Sequence, residues 1–191
     1  MPAQAWLGED GPLCDGCFDE RISAATGWPR LPAPPAPVVV VAGADRRQHR
    51  LRFRLWRTPG GISAEAIEES PDGDGDEGFH LRVFGEHDAD PAVLLAELDE
   101  RVRAEVGRRY LERDEDRWQV AGSEVAGRVG WGSGGPPDVV VDGRRLSWEE
   151  FGQAVASFEG WWFRITFGDD YTPPPSDPRP AAAVMPLRPR S

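Results

Sequence analysis

The spacing of apolar and polar residues changes period several times along the chain, and each change marks an element. Val38–Ala42 is a continuous apolar run. From Gln48 to Arg57 the pattern alternates, with Leu51, Phe53 and Leu55 on one side and Arg50, Arg52, Arg54 and Trp56 on the other. A period of two is that of a half-buried strand. Thr58-Pro-Gly-Gly61 turns the chain, so Ile62–Glu69 is expected to pair back, and Phe79, Leu81 and Val83 mark a further strand. The period then lengthens. Leu94, Leu95, Leu98, Val102, Val106 and Tyr110 recur at helical spacing behind Asp90-Pro91, an N-cap followed by a proline at the first helical position. Trp118–Ala121 and Val125–Trp131 read as short strands.

The densest set of agreeing features lies in Asp138–Asp170. Val139–Val141 is apolar, and Asp142-Gly143 suits a tight hairpin turn in which both residues take φ > 0. Ser147 opens a helix with Glu150 three residues on, the spacing of a capping box, and Leu146 and Phe151 occupy the hydrophobic-staple positions. Trp148, Phe151, Val155 and Phe158 form its apolar stripe, and Gly160 is the expected left-handed stop. Trp161, Phe163, Ile165 and Phe167 then alternate with Trp162, Arg164 and Thr166, which predicts a half-buried strand with the first set inward.

The resulting fold class is α+β, a mainly antiparallel sheet with two helices on one face. A short N-terminal helical appendage precedes it and a disordered C-terminal tail follows. Residues 1–13 read as weakly ordered, and 14–28 as a Cys-x-x-Cys plus a short helix ended by Gly27. Residues 29–37 hold five prolines and form an extended, semi-rigid linker. The main domain spans 38–168. Residues 169–191 are proline-rich without periodicity, the composition of a disordered tail.

Composition narrows the function by exclusion. Eight tryptophans and eight phenylalanines supply material for a real core. Every basic residue is arginine, which points to a GC-rich bacterial gene. A net charge of −11 opposes general nucleic-acid binding, which rests on neutralising phosphates, and opposes an anionic membrane surface; it favours a basic protein partner. No stretch approaches 18 apolar residues, so no membrane helix is expected. No basic region followed by an apolar run opens the chain, so no signal peptide is read and a cytoplasmic location is expected.

Chemical motifs are sparse. Cys14 and Cys17, on a turn before a helix, are half of a zinc knuckle, and zinc takes four ligands. No second cysteine pair exists; His49, His80, His87 or the same pair from a second subunit would have to complete it. A redox dithiol is the other reading, without the βαβ context that usually surrounds one. Asp72-Gly-Asp-Gly-Asp76 lacks the glycine and glutamate of a calcium loop and reads as a solvated acidic turn. Gly130-Trp-Gly-Ser-Gly-Gly135 runs into two prolines and a strand rather than a helix, so it is a loop and not a dinucleotide site. The Arg50, Arg52 and Arg54 row faces Glu69 and Glu65 across the hairpin, and cross-strand pairing accounts for it without a ligand. Glu86-His87-Asp88 offers an acid-flanked histidine with no accompanying nucleophile. Trp162, Arg164 and Trp56, on the faces opposite the predicted core, are the candidate interaction residues, since exposed tryptophan often anchors an interface.

The runs HRLRFRLWRTPGGISAEAIEE, GEHDADPAVLLAEL, RRYLE and VVVDGRRLSWEEFGQAVASFEGWWFRITF together resemble a family of uncharacterised bacterial proteins, a domain of unknown function. In it a Cys-containing N-terminal knuckle leads into a sheet domain ending in a WEEFG…EGW-x-F segment. The resemblance covers residues 14–168 and implies no activity and no catalytic residue. It implies the zinc-knuckle role for Cys14 and Cys17, from which this chain departs in lacking the second pair. The expected function is a non-enzymatic interaction module with a protein partner, a homo-oligomer being one form of it. The alternatives are a small hydrolase or transferase using the His87 region, and a zinc-bearing nucleic-acid module.

Overall fold

The described residues hold eleven strands, which do not join into one sheet. In the computed structural model, which describes residues 6–8, 11–69, 77–130 and 135–168, β1 (Trp6–Gly8) and β2 (Gly11–Leu13) form a hairpin that leads into α1 (Asp15–Thr26). Thus part of the stretch read as weakly ordered carries a short ladder. The cap residue of α1 is Cys14, and Gly27 ends the helix in the left-handed region at φ 75°. A four-stranded antiparallel sheet follows, in the order β3 (Val38–Ala42), β4 (Gln48–Thr58), β5 (Gly61–Glu68), β6 (His80–Gly85). The β4–β5 register pairs Arg54 with Glu65 and Thr58 with Gly61, as the turn at Pro59-Gly60 requires.

One face of this sheet is apolar and is covered by α2 (Pro91–Val106), capped by Asp90 through the Ala92 amide at 2.8 Å. Leu94, Leu98, Val102 and Val106 from α2 are buried against Leu51, Phe53, Leu55, Leu81 and Val83. Each such side chain contributes about 1.5–3 kcal/mol through loss of water-exposed apolar area. The other face is polar, and α1 lies over it: Asp15 pairs with Arg54, and Asp19 is 3.7 Å from Arg57. The N-terminal helix is therefore one layer of the first unit. Its proline-rich connection is also held down, since Pro29 accepts from Arg57 at 2.6 Å and Pro37 from the Phe53 amide at 2.9 Å.

The rest of the described chain has its own core. β7 (Leu111–Asp114) and β8 (Arg117–Val120) form a two-stranded sheet; β9 (Arg128–Val129), β10 (Val139–Val141) and β11 (Arg144–Leu146) form a three-stranded one. The short helix α3 (Trp148–Ala154) and a 3-10 turn (Ala156–Phe158) close it. Asp142 and Gly143 take φ 51° and 70°, the turn read from the sequence, and the Ser147–Glu150 capping box is present in both directions. Tyr110, Leu111, Val120, Val139, Val141, Leu146 and Ala154 are buried together.

Two expectations are corrected here. The fold is α+β, but it is not mainly one sheet with two helices: the described residues hold three helices and separate antiparallel sheets of four, three and two strands, besides the N-terminal hairpin. The sheets stay apart because α2 spends its whole buried stripe on β4–β6, while the two- to four-residue strands beyond Tyr110 close around α3 instead. The second correction concerns 161–167. This segment belongs to no sheet, and Trp161, Phe163, Ile165 and Phe167, assigned inward from the alternation, are 60–83% exposed. The tail 169–191, the acidic turn 72–76 and the centre of the glycine loop 130–135 lie outside the described residues.

Candidate functional site

The exposed aromatic segment is set by two local events. Two residues past the 3-10 turn Gly160 takes φ 85°, and the Trp161 amide donates to the Phe158 carbonyl at 2.9 Å. The chain thereby leaves the second core, with Trp161 resting edge-on against Phe158 at 5.5 Å between ring centroids. From there Trp162 is 73% and Phe163 83% exposed. Trp162 and Arg164 are on the surface, as read from the sequence, but so is the whole segment. Trp56 is different: it lies half-buried on the polar face of the first sheet.

The cysteine pair sits at the exposed start of α1. The two Sγ atoms are 3.1 Å apart, and the Cys17 amide donates to Cys14 Sγ at 3.3 Å. These contacts hold the Cys14 thiol below its ordinary range, and the same side-chain contact pushes Cys17 up. Two thiols are half of a tetrahedral metal site. Among the described residues no group of three or more metal-ligating side chains forms, so none of the histidines completes it. His87 Nε2 is 3.1 Å from the Pro59 carbonyl and its ring stacks on Trp28 at 4.2 Å, while Glu86 and Asp88 are exposed beside it.

Two charged constellations were not legible as sites in the sequence. Beneath α1, Glu65 is 1% exposed and is held by His80 Nε2 at 2.6 Å, Arg82 Nε at 2.7 Å and Arg54 at 3.6 Å. Burial pushes its carboxyl up, but the His80 hydrogen bond and the charges of His80 and Arg82 outweigh that and keep it below the usual range. The only forewarning was the Arg54–Glu65 cross-strand pairing; the roles of His80 and Asp15 needed the third strand and the helix in place. On the opposite face of the sheet, beside Phe79, His49 is buried between two acids, with Nδ1 2.7 Å from Glu68 and Nε2 3.1 Å from Asp45. It borders a cleft of about 400 Å3 that also carries Arg46, Arg47, Arg108, Arg109, Trp118 and Arg144.

Fold and surface thus define a tandem of two small α+β units, the first layered under an N-terminal helix and the second ending in an exposed aromatic segment. Residues 33–107 match the model of a domain of unknown function, DUF7686, and residues 110–171 match a second, DUF7713. The two matches divide the chain where the two cores divide it, and they bear out the resemblance to a domain of unknown function, as two domains rather than one. The second match runs past the aromatic segment; the first begins after the cysteine pair. No curated protein and no solved structure matches the chain. No helix among the described residues is long and apolar enough to cross a membrane.

Proposed function

We propose that the protein is an interaction module that engages a basic protein partner through Trp161–Phe167. One observation carries this reading: five large apolar side chains within seven residues stand 60–83% exposed in a segment that belongs to no sheet. Contiguous apolar surface of this kind is costly in water and typical of recognition sites. The alternation of Trp, Phe, Ile and Phe with Thr and Arg suits addition of a strand to an open sheet edge, where backbone hydrogen bonds give affinity and alternate side chains give specificity. A second copy is a poorer occupant. Antiparallel self-pairing about the centre of 161–167 sets Arg164 opposite Arg164, and like charges directly opposed are destabilising. Two chains of −11 also repel, whereas a basic partner is attracted.

A photoreactive amino acid at position 162, compared with one at the exposed surface position Glu112, tests this in cells producing the full chain. The expected result is a discrete crosslink from 162 and none from 112, to a protein of high isoelectric point, abolished by Phe163→Ala with Ile165→Ala. Crosslinks confined to a second copy of this chain, or identical from both positions, would overturn the reading.

A further inference from the structure

The chain contains three Arg-Arg dipeptides, Arg46-Arg47, Arg108-Arg109 and Arg144-Arg145. They lie far apart in sequence, in the β3–β4 turn, just past the end of α2 and at the start of β11. All three reach the one cleft region between the two units: five of these arginines, with Arg113 from β7, line the 400 Å3 cleft, and Arg145 lines its extension toward Glu68. Against six arginines the cleft sets two carboxylates, Asp45 and Asp142. Asp142 is occupied by the backbone amides of Tyr110 and Leu111 at 3.0 and 2.8 Å. Asp45 faces His49 at 3.1 Å, accepts from the Arg47 backbone amide at 2.9 Å, and lies 3.8 Å from the guanidinium groups of Arg47 and Arg144. Arg108 and Arg109 donate to neutral acceptors, the Tyr110 hydroxyl at 3.3 Å and the Leu111 carbonyl at 2.9 Å. The extension carries Glu68, held by His49, Glu69, held by Arg50 and Arg52, and Glu77, and its Arg145 pairs with Asp138. In a protein of net charge −11, six arginines thus converge on one concave place.

Two further features suit a ligand. Arg46 sits in the left-handed region at φ 66°, a conformation that disfavours side-chain-bearing residues, in a turn closed by Gly43–Arg47 and Arg46–Gly43 hydrogen bonds. A glycine would meet that geometry without strain, yet the chain places an arginine there. Trp118, half-buried, has the Arg144 guanidinium 4.6 Å and that of Arg113 5.7 Å from its ring centroid, so cations are fixed against an aromatic plane. Guanidinium forks match phosphate oxygens two at a time, and several around one small cleft match more than one phosphate group.

We propose that this cleft binds an oligophosphate anion, either free or carried by a nucleotide. Isothermal titration of the full chain at low salt with pyrophosphate and, separately, with ADP tests it, inorganic phosphate serving as the reference. Pyrophosphate binding at least tenfold tighter than phosphate, weakening as salt rises, is expected. ADP matching pyrophosphate assigns the site to free oligophosphate, and ADP at least tenfold tighter assigns it to a nucleotide whose base uses the Trp118–Arg144 stack. Arg46→Gly is expected to melt no lower than the wild type while binding at least fivefold more weakly; Arg113→Glu is the second variant, on the opposite wall. Absence of binding by both anions at millimolar concentration, or affinity untouched by both substitutions, would overturn the proposal.

Discussion

Asp142 Oδ2 lies 2.8 Å from the Leu111 amide and 3.0 Å from that of Tyr110. The aspartate of a two-residue turn thereby fixes the start of a different sheet, 31 residues earlier in the chain. Its backbone, at φ 51°, is tolerated because Asp and Asn enter the left-handed region more easily than other side chains. Asp142→Ala removes both acceptors and keeps the strained φ, and is expected to cost about 2–4 kcal/mol. Asp142→Asn keeps the turn and one acceptor oxygen, and should cost about 1 kcal/mol. Urea unfolding of the two variants checks the order; equal losses would mean that the charge, not the turn, matters.

Glu65 gives a dependence on acid. Its carboxyl is held below the usual range in the folded protein, so its stabilising contribution is present above the unfolded carboxyl value, about 4.3, and is lost as pH falls through the lower folded value. Removing one partner of a buried pair leaves the others uncompensated and costs about 3–5 kcal/mol. Glu65→Gln is therefore expected to be destabilised at neutral pH and to lose less further stability than the wild type below about pH 4. Denaturant midpoints measured across that range decide it: parallel curves for the two proteins refute the role.

The aromatic segment predicts the opposite of a core position. Trp162→Ala, at 73% exposure, should change stability by less than about 0.5 kcal/mol. Leu98→Ala, fully buried under the first sheet, should cost about 2–5 kcal/mol. Side-by-side chemical denaturation is sufficient, and a large loss in Trp162→Ala would show that the segment belongs to a core after all.

Cys14 and Cys17 are close enough to react with one another. Treatment with oxidised glutathione is expected to form the 14–17 disulfide, two thiols giving up two hydrogens while one glutathione disulfide is reduced to two thiols. Because Cys14 carries the lowered thiol, it should alkylate with iodoacetamide faster than Cys17 at neutral pH. Peptide mapping of the first-modified cysteine checks this, and modification of Cys17 first would reverse the assignment.

What the sequence determined by itself was local. The Asp142-Gly143 turn, the Ser147–Glu150 box, the Asp90-Pro91 start of α2 and the Arg54–Glu65 register all follow from a few neighbouring residues, because φ preferences and capping hydrogen bonds act over that range. Periodicity also told which residues share a face: Leu51, Phe53 and Leu55 are inward together. It could not tell whether a face is covered. Trp161, Phe163, Ile165 and Phe167 alternate as well as β4 does, yet no strand among the described residues pairs with them. Coverage depends on contacts between distant segments, which the tertiary structure alone decided. The same holds for the polar face of the first sheet, roofed by α1, and for three Arg-Arg pairs that are ordinary turn residues one at a time. They converge only where the two cores meet and bring like charges together, an arrangement that no local preference encodes.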